Sequence, residues 1–204
     1  MMKSLRNLSL FFLLSVSAQV LSCYLEAPEQ SAKSLEDLRQ DATQELRIAA
    51  RAGDSLTMAD CIFRGADVND REGCTTCPVK SVLSLAIDKA SENNESEYKG
   101  FDAVKLLLDS GADIEALSDV PAECNKLEPK VSLFPPLSYA IMVDAPLKII
   151  SLLRWRGANV QRADIIGLGW TPYRIAALYK NYEVMEMLKA AGVETDDLFP
   201  ELSF

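Results

Sequence analysis

The chain has 204 residues, with 21 basic against 30 acidic side chains and no histidine. A net charge of −9 repels nucleic acid and anionic lipid and favours basic partners. The lack of histidine removes Ser-His-Asp and Cys-His nucleophile pairs, histidine-bearing zinc sites and the commonest general base.

At the N-terminus Lys3 and Arg6 precede the apolar run 8–16 (LSLFFLLSV), followed by small and polar residues. This pattern predicts a secretory signal peptide over residues 1–22. The run falls well short of the roughly 20 residues that span a bilayer, and no later segment reaches that length. Two processing sites compete. Val16-Ser17-Ala18 suits ordinary signal peptidase, whereas Val20-Leu21-Ser22-Cys23 resembles a bacterial lipobox with lipid on Cys23. Leu21 and Gln19 depart from that motif. Cysteine arithmetic favours the lipobox, because five cysteines are awkward in an oxidising compartment and a lipidated Cys23 leaves four: Cys61, Cys74, Cys77 and Cys124. Tyr24, in place of Asp, then implies transfer to an outer membrane by resemblance to lipoprotein sorting rules. Loss of the leader removes Lys3 and Arg6 and no acid, taking the charge from −9 to −11.

Residues 23–33 read as a polar tether. Ser34 and Asp37 stand in capping-box spacing at the head of an N-terminal capping helix over 34–44. Beyond it the chain repeats. Segments 61–69 (CIFRGADVN), 106–115 (LLLDSGADIE), 152–160 (LLRWRGANV) and 187–194 (MLKAAGVE) each close an amphipathic run on a glycine: Gly65, Gly111, Gly157 and Gly192. A glycine there lets the chain turn left-handed at a helix C-terminus. Upstream of each lies a shorter alanine-bearing helix, at 45–50 (ELRIAA), 82–87 (VLSLAI), 136–141 (PLSYAI) and 172–177 (PYRIAA). Thr171 and Pro172 supply an N-cap and a first helical residue. Ala49, Ala86, Ala140 and Ala176 allow close helix approach.

This two-helix unit resembles the ankyrin repeat, whose signature contains TPLHLAA and ends LLLxxGAD. Ile48 to Gly65 and Ile175 to Gly192 each span 17 residues, as in that signature; Tyr139 to Gly157 spans 18 and Leu85 to Gly111 spans 26. The extra residues fall in loops. The resemblance implies an all-α fold: an ankyrin-repeat solenoid of about four helix-turn-helix units (44–76, 81–122, 135–168 and 171–196) with long finger loops, in one domain over 34–204. The family's inter-repeat histidine is replaced by Arg47, Ser84, Ser138 and Arg174, so disulfides are expected to compensate for the lost bonds. Asp60, where leucine is usual, reads as a solvent-facing cap on the first repeat. The insertion 88–102 (DKASENNESEYKGFD) reads as a solvated excursion, and the tail 196–204 packs back on the last repeat or serves as a docking peptide.

No GxSxG elbow, phosphate loop or dinucleotide fingerprint occurs, so neither catalysis nor a cofactor nor a metal is expected. Cys74-Thr75-Thr76-Cys77-Pro78 permits a redox pair, half of a zinc site or a structural disulfide. A helical array lacks the βαβ setting of a redox pair. Cys61 aligns with Leu107, Leu153 and Leu188, which makes it a core residue rather than a ligand. A cross-loop disulfide of Cys77 with Cys124, or Cys74 with Cys124, is preferred.

The resemblance implies a protein partner on the loop tips and first helices. Three loops are candidates: 68–80, 114–134 and 160–170. The second carries Asp119, Glu123, Leu127 and Glu128; the third carries Ile165, Ile166, Leu168 and Trp170. Trp170 either braces its turn or joins the interface. Tyr139 and Tyr173 on first helices could add anchors, although the position of Tyr139 is usually buried, and Trp155 between Arg154 and Arg156 on an outer helix could form a secondary contact. The ensemble resembles periplasmic immunity lipoproteins that guard a bacterium against type VI secretion toxins such as phospholipases. The implied action is occlusion of the toxin's cleft by a free monomer, and the competing expectation is a periplasmic scaffold or accessory factor.

Overall fold

The computed structural model describes residues 34–72, 79–92, 97–120, 125, 133–161 and 170–193. The chain divides into two compact units, Met1–Glu36 and Asp37–Phe204. Only residues 34–36 of the first are described, and the account below concerns the second.

The fold is mostly helical. Helices α1 (Leu35–Ala52) and α2 (Ser55–Phe63) come first, then α3 (Val82–Ser91) and α4 (Glu97–Asp109), α5 (Pro136–Met142) and α6 (Leu147–Trp155), and α7 (Pro172–Leu178) and α8 (Tyr182–Ala190). From α3 onward each pair packs within itself. First helices stack on first helices (α3 on α5, α5 on α7) and second helices on second (α2 on α4, α4 on α6, α6 on α8), giving two layers.

The sequence places the helix ends. Asp54, Ser81, Thr171 and Asn181 each accept a backbone N–H from the first turn they precede, which satisfies donors that have no intrahelical partner. Gly65, Gly111, Gly157 and Gly192 follow the second helices at φ of 88°, 88°, 96° and 81°, the left-handed geometry expected of them. First helices turn the same way at Gly53, Asp144 and Lys180, so two of these turns use non-glycine residues.

Between the layers lie two rows of buried side chains. Ala49, Ala86, Ala140 and Ala176 line the first helices, and Cys61, Leu107, Leu153 and Leu188 line the second. Each of these leucines contributes roughly 1.5–3 kcal/mol by leaving water. Cys61 is buried in the leucine row, as its alignment predicts. Ile48 breaks the pattern. It is 65% exposed, although Leu85, Tyr139 and Ile175 at the same position are buried, because among the described residues no pair precedes the first. Asp60 is exposed at the same end and pairs with Arg64 at 2.9 Å, in keeping with a cap.

Three features differ from the sequence expectation. The capping helix and the first repeat helix are one continuous helix, since neither glycine nor proline interrupts residues 34–52 and good helix formers dominate them. The insertion 88–102 is mostly helix, because α3 runs on to Ser91 and α4 starts at Glu97. These extensions touch at Gly100, where an added Cβ would lie 2.5 Å from Ala90 Cβ. Finally, among the described residues four two-residue strands form two antiparallel hairpins: β1 (Arg71–Glu72) with β2 (Lys80–Ser81), and β3 (Ser118–Asp119) with β4 (Leu133–Phe134). No helix among the described residues is long and apolar enough to cross a membrane.

Candidate protein-binding surface

After each of the first three repeat glycines the chain makes the same turn. Asp67 Oδ1 accepts from Asn69 N at 2.8 Å, Asp113 Oδ1 from Glu115 N at 2.9 Å, and Asn159 Oδ1 from Gln161 N at 2.9 Å. An Asx side chain folding onto the N–H two residues ahead closes its own local turn.

Each turn is also tied to its neighbour. Asn69 Oδ1 accepts from Asp113 N at 2.6 Å while its Nδ2 donates to Gly111 O at 3.3 Å; Glu115 Oε1 accepts from Asn159 N at 2.9 Å. Asp67 N makes the equivalent bond to Thr43 Oγ1 at 2.9 Å, so α1 stands in for a turn that would come before. The result is a ladder in which side chains of one turn hold the backbone of the next.

The two hairpins rise beside this ladder and are joined edge to edge. Asp119 N donates to Val79 O at 2.7 Å, Val79 N donates to Asp119 Oδ2 at 2.6 Å, and Ser81 N donates to Ser118 Oγ at 3.0 Å. Arg71 also donates to Leu117 O. Pairing the strands with each other leaves fewer open backbone groups on their edges.

Below the hairpins Asp88 Oδ2 takes Lys80 Nζ at 2.5 Å, and its Oδ1 accepts the Tyr139 hydroxyl at 2.5 Å. Lys80 Nζ lies 5.8 Å from the Tyr139 ring centroid. This cluster explains how a tyrosine replaces a core leucine: its ring is buried and its hydroxyl is satisfied. Arg47 and Ser84, at equivalent positions of two first helices, also find partners. Arg47 Nη1 lies 3.0 Å from Asp70 Oδ2, an ion pair without hydrogen-bond alignment, and Ser84 Oγ donates to Ser81 O at 2.9 Å.

Of the residues expected to meet a partner, Asp119 is half-buried and its carboxylate spans the hairpin junction. Trp170 is half-buried and packs on the core. Glu123, Leu127, Glu128, Ile165, Ile166 and Leu168 lie outside the described residues, as do Cys23, Cys74, Cys77 and Cys124. Tyr139 is buried, as is usual at its position, and Tyr173 is buried too, which corrects the expectation that it could serve as a surface anchor. Trp155 is 76% exposed. Sequence reasoning missed the rungs Thr43, Asn69 and Glu115. A signal was present for Asn69 and Glu115, which like Gln161 stand four residues after a repeat glycine, but not for Thr43.

The electrostatics follow the ion pairs. Arg156 and Lys105 hold the Asp109 carboxyl below its ordinary value, with the Arg156 hydrogen bond the larger cause. Burial pushes the Cys61 thiol up; the Glu45 charge adds to the effect and Arg64 opposes it. Compared with known proteins, the chain matches no family model and no curated protein sequence.

Proposed function

We propose that the chain is a non-enzymatic binding protein of the ankyrin type, exported and held at a bacterial envelope by a lipid on Cys23. In this reading it acts as an immunity protein that occludes the active site of an antibacterial toxin such as a phospholipase.

The observation that carries the reading is the ladder of equivalent turns at Asp67, Asp113 and Asn159. Rungs of this kind hold the turns at the base of each loop in fixed register, which is what a stacked-repeat binding surface requires. Preorganised loops lose less conformational freedom on binding, and that favours tight inhibition. The net charge of −9 adds steering toward a basic cleft. A membrane tether would also raise the local concentration of the inhibitor where a lipase must act. A disulfide from Cys77, or Cys74, to Cys124 fits the same plan. Val79 and Asp119, which lie close in sequence to these cysteines, are hydrogen-bonded to each other.

The test is genetic and biochemical. Deletion of the gene should sensitise cells to one toxin encoded beside it, and the purified protein should abolish that toxin's activity. Shortening the 114–134 loop should remove protection while leaving the helical circular dichroism unchanged. Globomycin or Cys23→Ala should release the protein from membranes. Unaltered toxin sensitivity in the deletion strain would replace this reading with that of a periplasmic scaffold.

A further inference from the structure

Helix α6 reverses the charge of the molecule. Lys148 and Arg154 lie on it and Arg156 caps it, with no acid among them, in a chain of net charge −9. At its end Trp155 is 76% exposed, the largest side chain among the exposed apolar residues described.

That indole is held rather than loose. Asp109 on the neighbouring α4 takes Lys105 Nζ at 3.1 Å and the Arg156 guanidinium. Arg156, fixed in this way, lies 5.5 Å from the centroid of the Trp155 ring, within cation–π range. Arg154 beside it is exposed and has no ion-pair partner among the described residues. A pinned, exposed tryptophan next to an uncommitted arginine has the composition of a binding hot spot, and its rigidity lowers the ordering cost of association. Arginine's planar fork suits a carboxylate.

The geometry points to a second interaction surface, centred on Trp155 and Arg154, that takes an acidic polypeptide segment. The segment sets an apolar side chain against the indole and a carboxylate against Arg154. Charge complementarity selects this occupant. The flanking helices carry exposed Asp102, Glu183 and Glu186, like charges that oppose a broad anionic surface more than a single acidic segment. The surface lies on a second helix, outside the loops and first helices assigned to the toxin, and its existence does not depend on that assignment.

The experiment selects a phage-displayed random dodecapeptide library against the mature protein and measures the winning peptide by titration calorimetry. The expected consensus carries at least two acidic residues around a large apolar one. Trp155→Ala should weaken that peptide on the order of thirtyfold, the usual loss at a hot spot. Arg154→Glu should weaken it further and confer binding on the charge-reversed peptide, and Arg156→Gln should give a smaller loss through a looser indole. Circular dichroism checks that each variant is folded. A selection without an acidic consensus, or peptides indifferent to Trp155→Ala, would overturn the proposal. So would a blue shift of tryptophan emission on phosphatidylglycerol vesicles that Trp155→Ala removes, or self-association abolished by Trp155→Ala, in favour of a membrane or of a second copy.

Discussion

Asn69 reaches across from one turn to take the backbone N–H of Asp113 in the next, at 2.6 Å, and returns its own N–H to Gly111 O. One side chain therefore satisfies a donor and an acceptor of a neighbouring loop. Asn69→Ala should lower stability by about 1 kcal/mol, the net worth of such bonds near solvent. Glu115→Ala should cost a similar amount. Urea denaturation of the single and double variants checks both values. Equal losses would fit equivalent rungs, and no loss in either would show that the loops hold their register without them.

Gly100 lies where α3 and α4 touch. An added Cβ would meet Ala90 Cβ at 2.5 Å and Ala90 Cα at 2.6 Å, and a backbone atom cannot swing aside. Gly100→Ala should destabilise by roughly 1–3 kcal/mol despite alanine's better helix propensity. Ala90→Gly in the same chain should restore part of the loss. A thermal melt of the parent chain and the two variants checks the sign: stabilisation by Gly100→Ala would mean that the helices are not in contact there.

Cys61 should resist thiol reagents in the native protein and react only on unfolding. Its thiol is buried and its protonation favoured, so little thiolate forms at neutral pH. The same shift sets a pH trend. A group whose folded value is raised adds stability that is complete below the ordinary thiol range near 8.5 and is lost as pH rises through the raised value. Mass mapping of alkylated peptides at pH 8, with and without urea, reads Cys61 separately from the other cysteines.

Asp109 carries the opposite shift. Its carboxyl is held low by Arg156 first and Lys105 second. The pairing is therefore complete above the ordinary aspartate value near 3.9 and lost as pH falls through the lowered one. A carbon-detected NMR titration should find the Asp109 midpoint moving up in Arg156→Gln, and moving less in Lys105→Gln. An unmoved midpoint in Arg156→Gln would break the link between Asp109 and the Trp155 surface.

The sequence by itself determined the elements whose physics is local. The four glycines sit at left-handed turns because only glycine enters that geometry freely, and Thr171 caps α7 because its hydroxyl reaches the N–H three residues ahead. The alanine and leucine rows are buried because their spacing puts them on one helix face. Tertiary structure decided what depends on distant partners. It packed Ala90 on Gly100, turning an expected excursion into two helix extensions. Asp119 looked like a surface acid, yet its carboxylate is drawn to Val79 N, 40 residues earlier in the chain. The partner of the buried Tyr139 hydroxyl is Asp88, 51 residues away. Trp155 stayed outside, held by an arginine whose own partner lies on another helix. Helical periodicity records which face a residue occupies, but the identity of the group that meets it there is set only when the pairs stack.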